Sequence, residues 1–218
     1  MVAAAWEAVA GAAGVGDGTS LLDLGCGDGG FCAYAARRGA IVHGLDVEPD
    51  AIAEALEAAP GADLRLGLME NLPWADASFE VVTSFNALQY ALDAEMALIE
   101  AMRVARPGGR IAICKWGPAA ENESFAFLIS IGADGVRAGR LPVTDPVQEA
   151  IAAAGVEVVA TGEVAAPIVM ADEVALEVSL ERARIRPEGS VAAAAAPYRR
   201  ADGSYRFENR LRFWVLRA

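Results

Sequence analysis

The run Leu21-Leu22-Asp23-Leu24-Gly25-Cys26-Gly27-Asp28-Gly29-Gly30 constrains this chain most. A short apolar segment, Ser20–Leu24, runs into glycines, and a stretch suited to a helix follows at residues 30–38. An apolar run this short, closed by a glycine turn, has the pattern of a buried strand. Glycine admits the left-handed backbone and lets the main chain approach a ligand closely. The N-terminus of the helix that follows attracts negative charge. Gly25, Gly27 and Gly30 satisfy the spacing GxGxxG, and Gly25, Gly27 and Gly29 satisfy GxGxG. The glycines alone leave the ligand open.

The same punctuation recurs downstream. Residues 41–45, 63–67, 80–84 and 110–115 read as further strands. Helices are expected at 2–13, at 49–59 behind Pro49, at 93–105 before Pro107-Gly108-Gly109, and at 145–154. A strand is expected at 156–163 and a last one at 207–217, after the turn Ala201-Asp202-Gly203-Ser204. Strands alternating with helices predict an α/β fold, an open and mostly parallel sheet with helices on both faces. Residues 1–218 contain no separating linker and are expected to form a single domain. Segments 117–142 and 165–200 interrupt the alternation after late strands, on the ligand side of such a sheet, as candidate substrate-capping insertions.

Charge removes several function classes. The chain has 30 acidic and 18 basic residues, a net charge of -12, which argues against a nucleic-acid partner because phosphate contacts supply most of such affinity. A single histidine excludes a multi-histidine metal centre, and Cys26, Cys32 and Cys114 show no CxxC pairing, so neither zinc nor disulfides are expected. The first residues carry Glu7 and no early Lys or Arg, unlike a signal peptide, and their apolar run is too short for a bilayer. A cytoplasmic protein without membrane partners is the default expectation.

Two carboxylates narrow the ligand. Asp23 lies two residues before Gly25, where it would repel a pyrophosphate at a cost on the order of a kcal/mol even when partly screened. A ligand with an ammonium beside its own carboxylate suits the position better, and the methionine portion of S-adenosylmethionine (SAM) is one. The alternative is that Asp23 caps the loop internally. Asp46 ends the second strand, where an acid accepts hydrogen bonds from both ribose hydroxyls and repels a 2′-phosphate. Its alternative is a solvated strand-end carboxylate.

With these residues in place, the sequence resembles the class I SAM-dependent methyltransferases of the small-molecule type (type 11/25-like). The likeness covers residues 18–116. It rests on the glycine run at 21–30, Gly-Leu-Asp at 44–46 and Glu-Asn-Leu-Pro-Trp at 70–74. Ser-Phe-Glu-Val-Val at 78–82 and Arg-Val-Ala-Arg-Pro-Gly-Gly-Arg at 103–110 follow in order, and the tail at 198–205 is similar to that of some members. The resemblance implies a Rossmann-like, seven-stranded, mostly parallel sheet with an antiparallel last strand and a small helical cap. It implies SAM as cofactor, S-adenosylhomocysteine as product, and methyl transfer to an O or N nucleophile of a small molecule. Asp23, Gly25, Gly27 and Gly29 would then line the methionine part, with Cys26 among the cofactor-binding residues. Asp46 would hold the ribose and Val47 would pack on the adenine, with Met69 and Glu70 at its edge. Ser84, Phe85 and Asn86 would border methionine and substrate. One departure stands out: many members carry an acid where this chain has Leu68. Adenine recognition then falls to the Met69 backbone N–H and packing, or to Glu70.

Methyl transfer needs an aligned, dry nucleophile more than a base. His43 is the obvious base by type, yet its place inside a strand argues for packing. Asn86, Gln89 and Tyr90 are candidates to orient a substrate, or else cap and pack a helix start. Trp116 offers an aromatic wall or fills the sheet edge. Phe125, Phe127, Leu128, Ile131, Ile168, Met170 and Leu180 in the two interruptions suggest an apolar pocket, the segments' own packing, or a homodimer contact. Arg182, Arg184, Arg186, Arg199, Arg200, Arg206, Arg210 and Arg212 could receive an acidic substrate or an acidic partner, or pair with the acidic N-terminal half. Two competing functions remain open: a methyltransferase-fold protein that binds SAM or its product without methylating, and an NAD(P)-dependent oxidoreductase using Gly25, Gly27, Gly30 and Asp46.

Overall fold

The computed structural model describes residues 3–132, 145–183 and 185–218. The order of elements is α1 (Ala3–Ala13), β1 (Ser20–Leu24), α2 (Gly30–Arg37), β2 (Ile41–Asp46), α3 (Pro49–Ala58), β3 (Asp63–Leu66), β4 (Phe79–Phe85), α4 (Ala94–Val104), β5 (Ala105–Trp116), α5 (Glu123–Ser130), α6 (Pro146–Ala154), β6 (Val158–Ala165), β7 (Ile168–Met170), α7 (Glu173–Arg182), α8 (Val191–Ala195), β8 (Tyr205–Phe207) and β9 (Arg210–Arg217). Seven strands form one mixed, mostly parallel sheet in the order β3-β2-β1-β4-β5-β9-β6 with one antiparallel strand, a Rossmann-like arrangement.

The described residues divide into two compact units. The larger comprises residues 3–115, 145–163 and 212–218. Its central strand β1 pairs in parallel with β2 on one side and β4 on the other. Being covered on both faces, β1 reads as a continuous apolar run broken only by Asp23. Leu22, Leu24, Leu45, Phe79, Val82, Leu98, Ile111 and Ile113 form its core. Side chains stop and start the helices as their chemistry dictates. Asp93 caps α4 by accepting from the Glu95 and Met96 N–H groups. Asp145 caps α6, with Pro146 in the first turn, and also receives the Lys115 ammonium at 2.6 Å.

The smaller unit holds residues 116–132, 164–183 and 185–211. Phe127, Ile131, Leu176, Leu180, Ala195, Tyr205 and Phe207 make its own core, with Leu128, Ile168 and Met170 packed against it. Of the apolar residues singled out in the two interruptions, Phe127, Leu128, Ile131, Ile168, Met170 and Leu180 take part in this packing. Residues 133–142 of the first interruption lie outside the described residues.

Two expectations need correction. The chain does not run as one strand from 207 to 217. Tyr205–Phe207 pairs antiparallel with Ile168–Met170 in a separate two-stranded ribbon, and the long strand begins at Arg210. Between them, Glu208 donates its N–H to Glu123 Oε2, and Asn209 Oδ1 accepts from the Ser124 N–H and hydroxyl. The start of α5 thus pins the break. Nor does Pro107-Gly108-Gly109 separate helix from strand, because β5 starts at Ala105 directly after α4. Ala105 pairs with Phe79 and Arg110 with Val81, so the residues between them form an irregularity in β5.

Truncating Ile111, buried at the centre of the larger unit, as Ile111→Ala should lower unfolding free energy by about 2–5 kcal/mol. Arg106 pairs with Glu80 at 3.5 Å with both side chains about half exposed, so Arg106→Ala should change it by no more than about 0.5 kcal/mol. Urea titrations with unchanged m-values would check both.

Candidate active site

Strand order reverses between β1 and β4, and open α/β sheets bind ligands at the carboxyl ends of strands at such a point. A cleft of about 500 Å³ opens there, a size typical of small-molecule sites. It is lined by Gly25 and Gly27 of the glycine turn and by Leu45, Asp46 and Val47 at the end of β2. Gly67, Leu68, Met69 and Glu70 follow from the segment after β3, Phe85 from the end of β4, and Asn86, Ala87, Tyr90, Ala91 and Leu92 from the segment after it. All belong to the larger unit.

The turn is built against β2. The Leu45 carbonyl accepts both the Gly25 N–H at 2.8 Å and the Cys26 N–H at 3.0 Å. Asp46 Oδ2 accepts the Gly27 N–H at 2.9 Å, and Oδ1 accepts the Glu48 N–H at 3.0 Å. These two bonds orient the Asp46 carboxylate, and each oxygen keeps a further lone pair for a ligand hydroxyl. Gly25 has φ +68°, and a Cβ there would overlap that of Ala87. Gly29 has φ +77°, and a Cβ there would lie 2.6 Å from Ala55 Cα of α3. The protein's own packing requires both glycines. Gly27 differs, because a Cβ there would meet nothing within 4 Å. The space beside it, next to the Asp46 carboxylate, is open to a ligand.

Asp23 is 2% exposed and is not among the lining residues. Its Oδ1 accepts the Thr83 hydroxyl at 2.7 Å, and the Cys32 thiol approaches Oδ2 at 3.8 Å. Burial pushes its carboxyl up to about 7, while the Thr83 and Cys32 hydrogen bonds pull the other way. The carboxylate therefore ties β1 to β4 and α2 from beneath the turn. Thr83, which sequence reading passed over, is marked only as one of three polar residues, with Glu80 and Ser84, in β4. Ser84 is equally buried, donating to the Leu24 carbonyl at 3.2 Å and accepting the Leu88 N–H at 3.1 Å. Cys26 contributes its backbone to the turn and tucks its side chain over β2, where a Cβ on Gly44 would lie 3.2 Å from the sulfur.

The segment after β4 supplies the far side. Phe85 lines the cleft and packs on Phe31 of α2, ring centroids 4.3 Å apart. Asn86 holds φ +53°, a conformation asparagine tolerates, and donates its N–H to the Cys114 carbonyl at 2.7 Å. Glu70 Oε1 accepts the Leu92 N–H at 2.6 Å and the Asp93 N–H at 3.2 Å, so this carboxylate holds the loop carrying Tyr90 and Leu92. Those two side chains are 79% and 84% exposed, placing apolar surface on the lining beside Val47 and Leu68. Leu45, Gly67, Ala87, Ala91 and Leu92 were not singled out by sequence. Small or aliphatic residues carry no chemical signature until the fold groups them.

Other candidates lie elsewhere. Gln89 does not line the cleft, and its Oε1 is buried with no hydrogen-bond partner among the described residues. Trp116 belongs to the smaller unit. His43 packs edge-on to Phe79 at 5.0 Å and to Trp74 at 6.4 Å, in keeping with a packing role. Of the arginines, Arg206 and Arg200 meet Glu208, and Arg212 meets Glu163 at 2.8 Å. Among the described residues no group of three or more His, Cys, Asp or Glu could hold a metal ion, and no helix is long and apolar enough to cross a membrane.

Comparison with known proteins agrees with this geometry. Residues 22–113 match the methyltransferase domain family. An uncharacterized protein of Mycobacterium tuberculosis is 36% identical over 109 residues, 48% of this chain and 40% of that protein. The malonyl-[acyl-carrier protein] O-methyltransferase of Erwinia billingiae is 35% identical over 94 residues, 43% of this chain and 38% of that enzyme. The matched region thus spans about two fifths of these curated relatives. Among solved structures, a provisionally assigned methyltransferase of Bacillus halodurans superposes with TM-score 0.70 at 16% identity, covering 97% of both chains. The [4+2]-cyclase SpnF superposes with TM-score 0.67 at 20% identity, covering 98% of this chain and 80% of that one. Residues 22–113 are thus similar to a methyltransferase domain, and the whole chain shares its fold with the two solved structures.

Asp23 gives a pH signature. Its folded value near 7 exceeds the unfolded 3.8, so between these values the folded state holds a proton that the unfolded state has lost. Its contribution to stability therefore falls as pH rises through that window and stays lowered above it. The difference in unfolding free energy between Asp23→Asn and the wild type should shift in favour of the variant from pH 4 to pH 7.5. Urea titrations across that range would show it; a constant difference would contradict the assignment.

Proposed function

We propose that the cleft binds SAM and that the protein transfers its methyl group to an O or N nucleophile of a small molecule. The observation that carries this reading is the Asp46 carboxylate, oriented by two backbone N–H groups beside the open flank of Gly27. Such an acceptor pair suits the two hydroxyls of a ribose. Val47, Leu68 and Met69 provide an apolar bed for a purine, and the backbone N–H of Met69 is the proposed contact to its edge. The Glu70 carboxylate, already engaged by Leu92 and Asp93, serves to hold the loop.

Bound SAM supplies a methyl group activated by a sulfonium. The chain's own work is placement and desolvation. Phe85, Ala87, Tyr90 and Leu92 line the cleft with apolar surface, which favours dispersal of the sulfonium charge. Asn86 and Tyr90, on the lining, are proposed to orient the acceptor to about 3–3.5 Å from the methyl. A carboxylate or neutral amine acceptor needs no base. Segments 117–142 and 165–200 are proposed to select the acceptor, with Gln89 and Trp116 as further candidates on the substrate side.

Calorimetry with S-adenosylhomocysteine is the direct test. The wild type should bind, Asp46→Ala should weaken binding by about tenfold or more, and Gly27→Val should abolish it by filling the open flank and straining a backbone held at φ +53°. A fluorescence titration with NADH should show no binding. Absence of wild-type binding at millimolar ligand would overturn the proposal, and binding without turnover across O, N and carboxylate acceptors would restrict it to a ligand-binding role.

A further inference from the structure

Gly30 completes a dinucleotide-like spacing in the sequence, yet its backbone is not left-handed and it is not on the cleft lining. A Cβ built on Gly30 would lie 3.0 Å from Trp6 Cη2 and 3.2 Å from Trp6 Cζ2. The bare Cα is a notch that receives the indole of α1. Gly30 opens α2, directly after the Gly29 turn. Trp6 therefore bears on the point where the ligand-binding loop becomes helix. Trp6 also belongs to a continuous set of rings. Its centroid lies 6.3 Å from Phe31 and 5.8 Å from Tyr34, and Phe31 lies 4.3 Å from Phe85, whose ring lines the cleft. Phe31 is 3% exposed, so it has little freedom to absorb a displacement of either neighbour.

We infer that Trp6 is a positioning residue for the cleft, seated in the Gly30 notch and acting through Phe31 on the Phe85 wall, so that the N-terminal helix sets ligand affinity without touching ligand. The inference rests on the proposed SAM site, since the ligand used to read it is S-adenosylhomocysteine. Trp6 acts on two parts at once: the height of the loop-to-helix junction, and the ring that faces the cleft. Removing the indole leaves a void beside Gly30 and Phe31, into which the Phe31 ring can shift and release the Phe85 ring packed on it. Adding a methyl group at Gly30 pushes the same indole outward from the other side.

The test measures S-adenosylhomocysteine affinity by calorimetry, and folding by near-ultraviolet circular dichroism, for wild type, Trp6→Phe, Trp6→Ala, Gly30→Ala and the double variant Trp6→Ala/Gly30→Ala. Trp6→Ala and Gly30→Ala should each weaken binding by about tenfold. Trp6→Phe, which keeps a ring in the notch, should recover most of the loss. In the double variant Gly30→Ala should add less to Trp6→Ala than it costs alone, because its closest contact, with the indole, is gone and only the Asp28 carboxylate at 3.2 Å remains. Phe31→Leu, which breaks the link in the larger unit's interior, should weaken binding in the same way and covers the case in which Trp6→Ala does not fold. Folded Trp6→Ala and Phe31→Leu variants that bind like the wild type would overturn the inference, as would strictly additive losses in the double variant. Failure of the wild type itself to bind would instead reject the SAM site.

Discussion

Everything at the ligand end depends on a short stretch of β2 holding the glycine turn. The Leu45 carbonyl receives two successive N–H groups, and the neighbouring Asp46 carboxylate receives a third. The parallel register sets Leu24 opposite Leu45, so the chain leaves β1 beside the groups that catch it. Three donors that would otherwise be unpaired in a tight loop are satisfied by two adjacent residues. The price of this turn is conformational, and Gly25 and Gly29 meet it by adopting a backbone few other residues reach.

The two carboxylates of the motif set part company because of where they sit on the sheet. Asp23 is inside the central strand, covered from both faces, where an ionised group finds a hydroxyl and a thiol but no described cation. Asp46 is at the end of its strand, with backbone N–H groups on both oxygens and the cleft beside it. One organises the scaffold beneath the turn; the other lines the cleft. This local difference matters more than the fold, since the same architecture also serves a [4+2]-cyclase.

Much of the larger unit was legible in the sequence. Ser20–Leu24 reads as a strand because an apolar run of five closed by glycine has no room to be a helix, and α4 and α6 announce themselves by Asp93 and by Asp145-Pro146. The tail was less legible. Tyr205–Phe207 and Arg210–Arg217 look like one alternating run, and only the distant partners Ile168–Met170 and Glu123-Ser124 reveal the break. At the site, charged and glycine positions were visible from chemistry. Leu45, Ala87 and Leu92 were not, because an aliphatic side chain lining a cleft looks in sequence like one lining a core.

The sequence by itself determined the alternation of strand and helix, the glycine turn after the first strand, and the strand-end position of Asp46. These follow from local periodicity, turn chemistry and spacing. Only the tertiary structure decided that Asp23 faces Thr83 and not the cleft, that Glu70 holds a loop, and that Gly30 answers to Trp6. Each of those outcomes depends on which side chains lie across a gap between distant elements, and that is settled by packing.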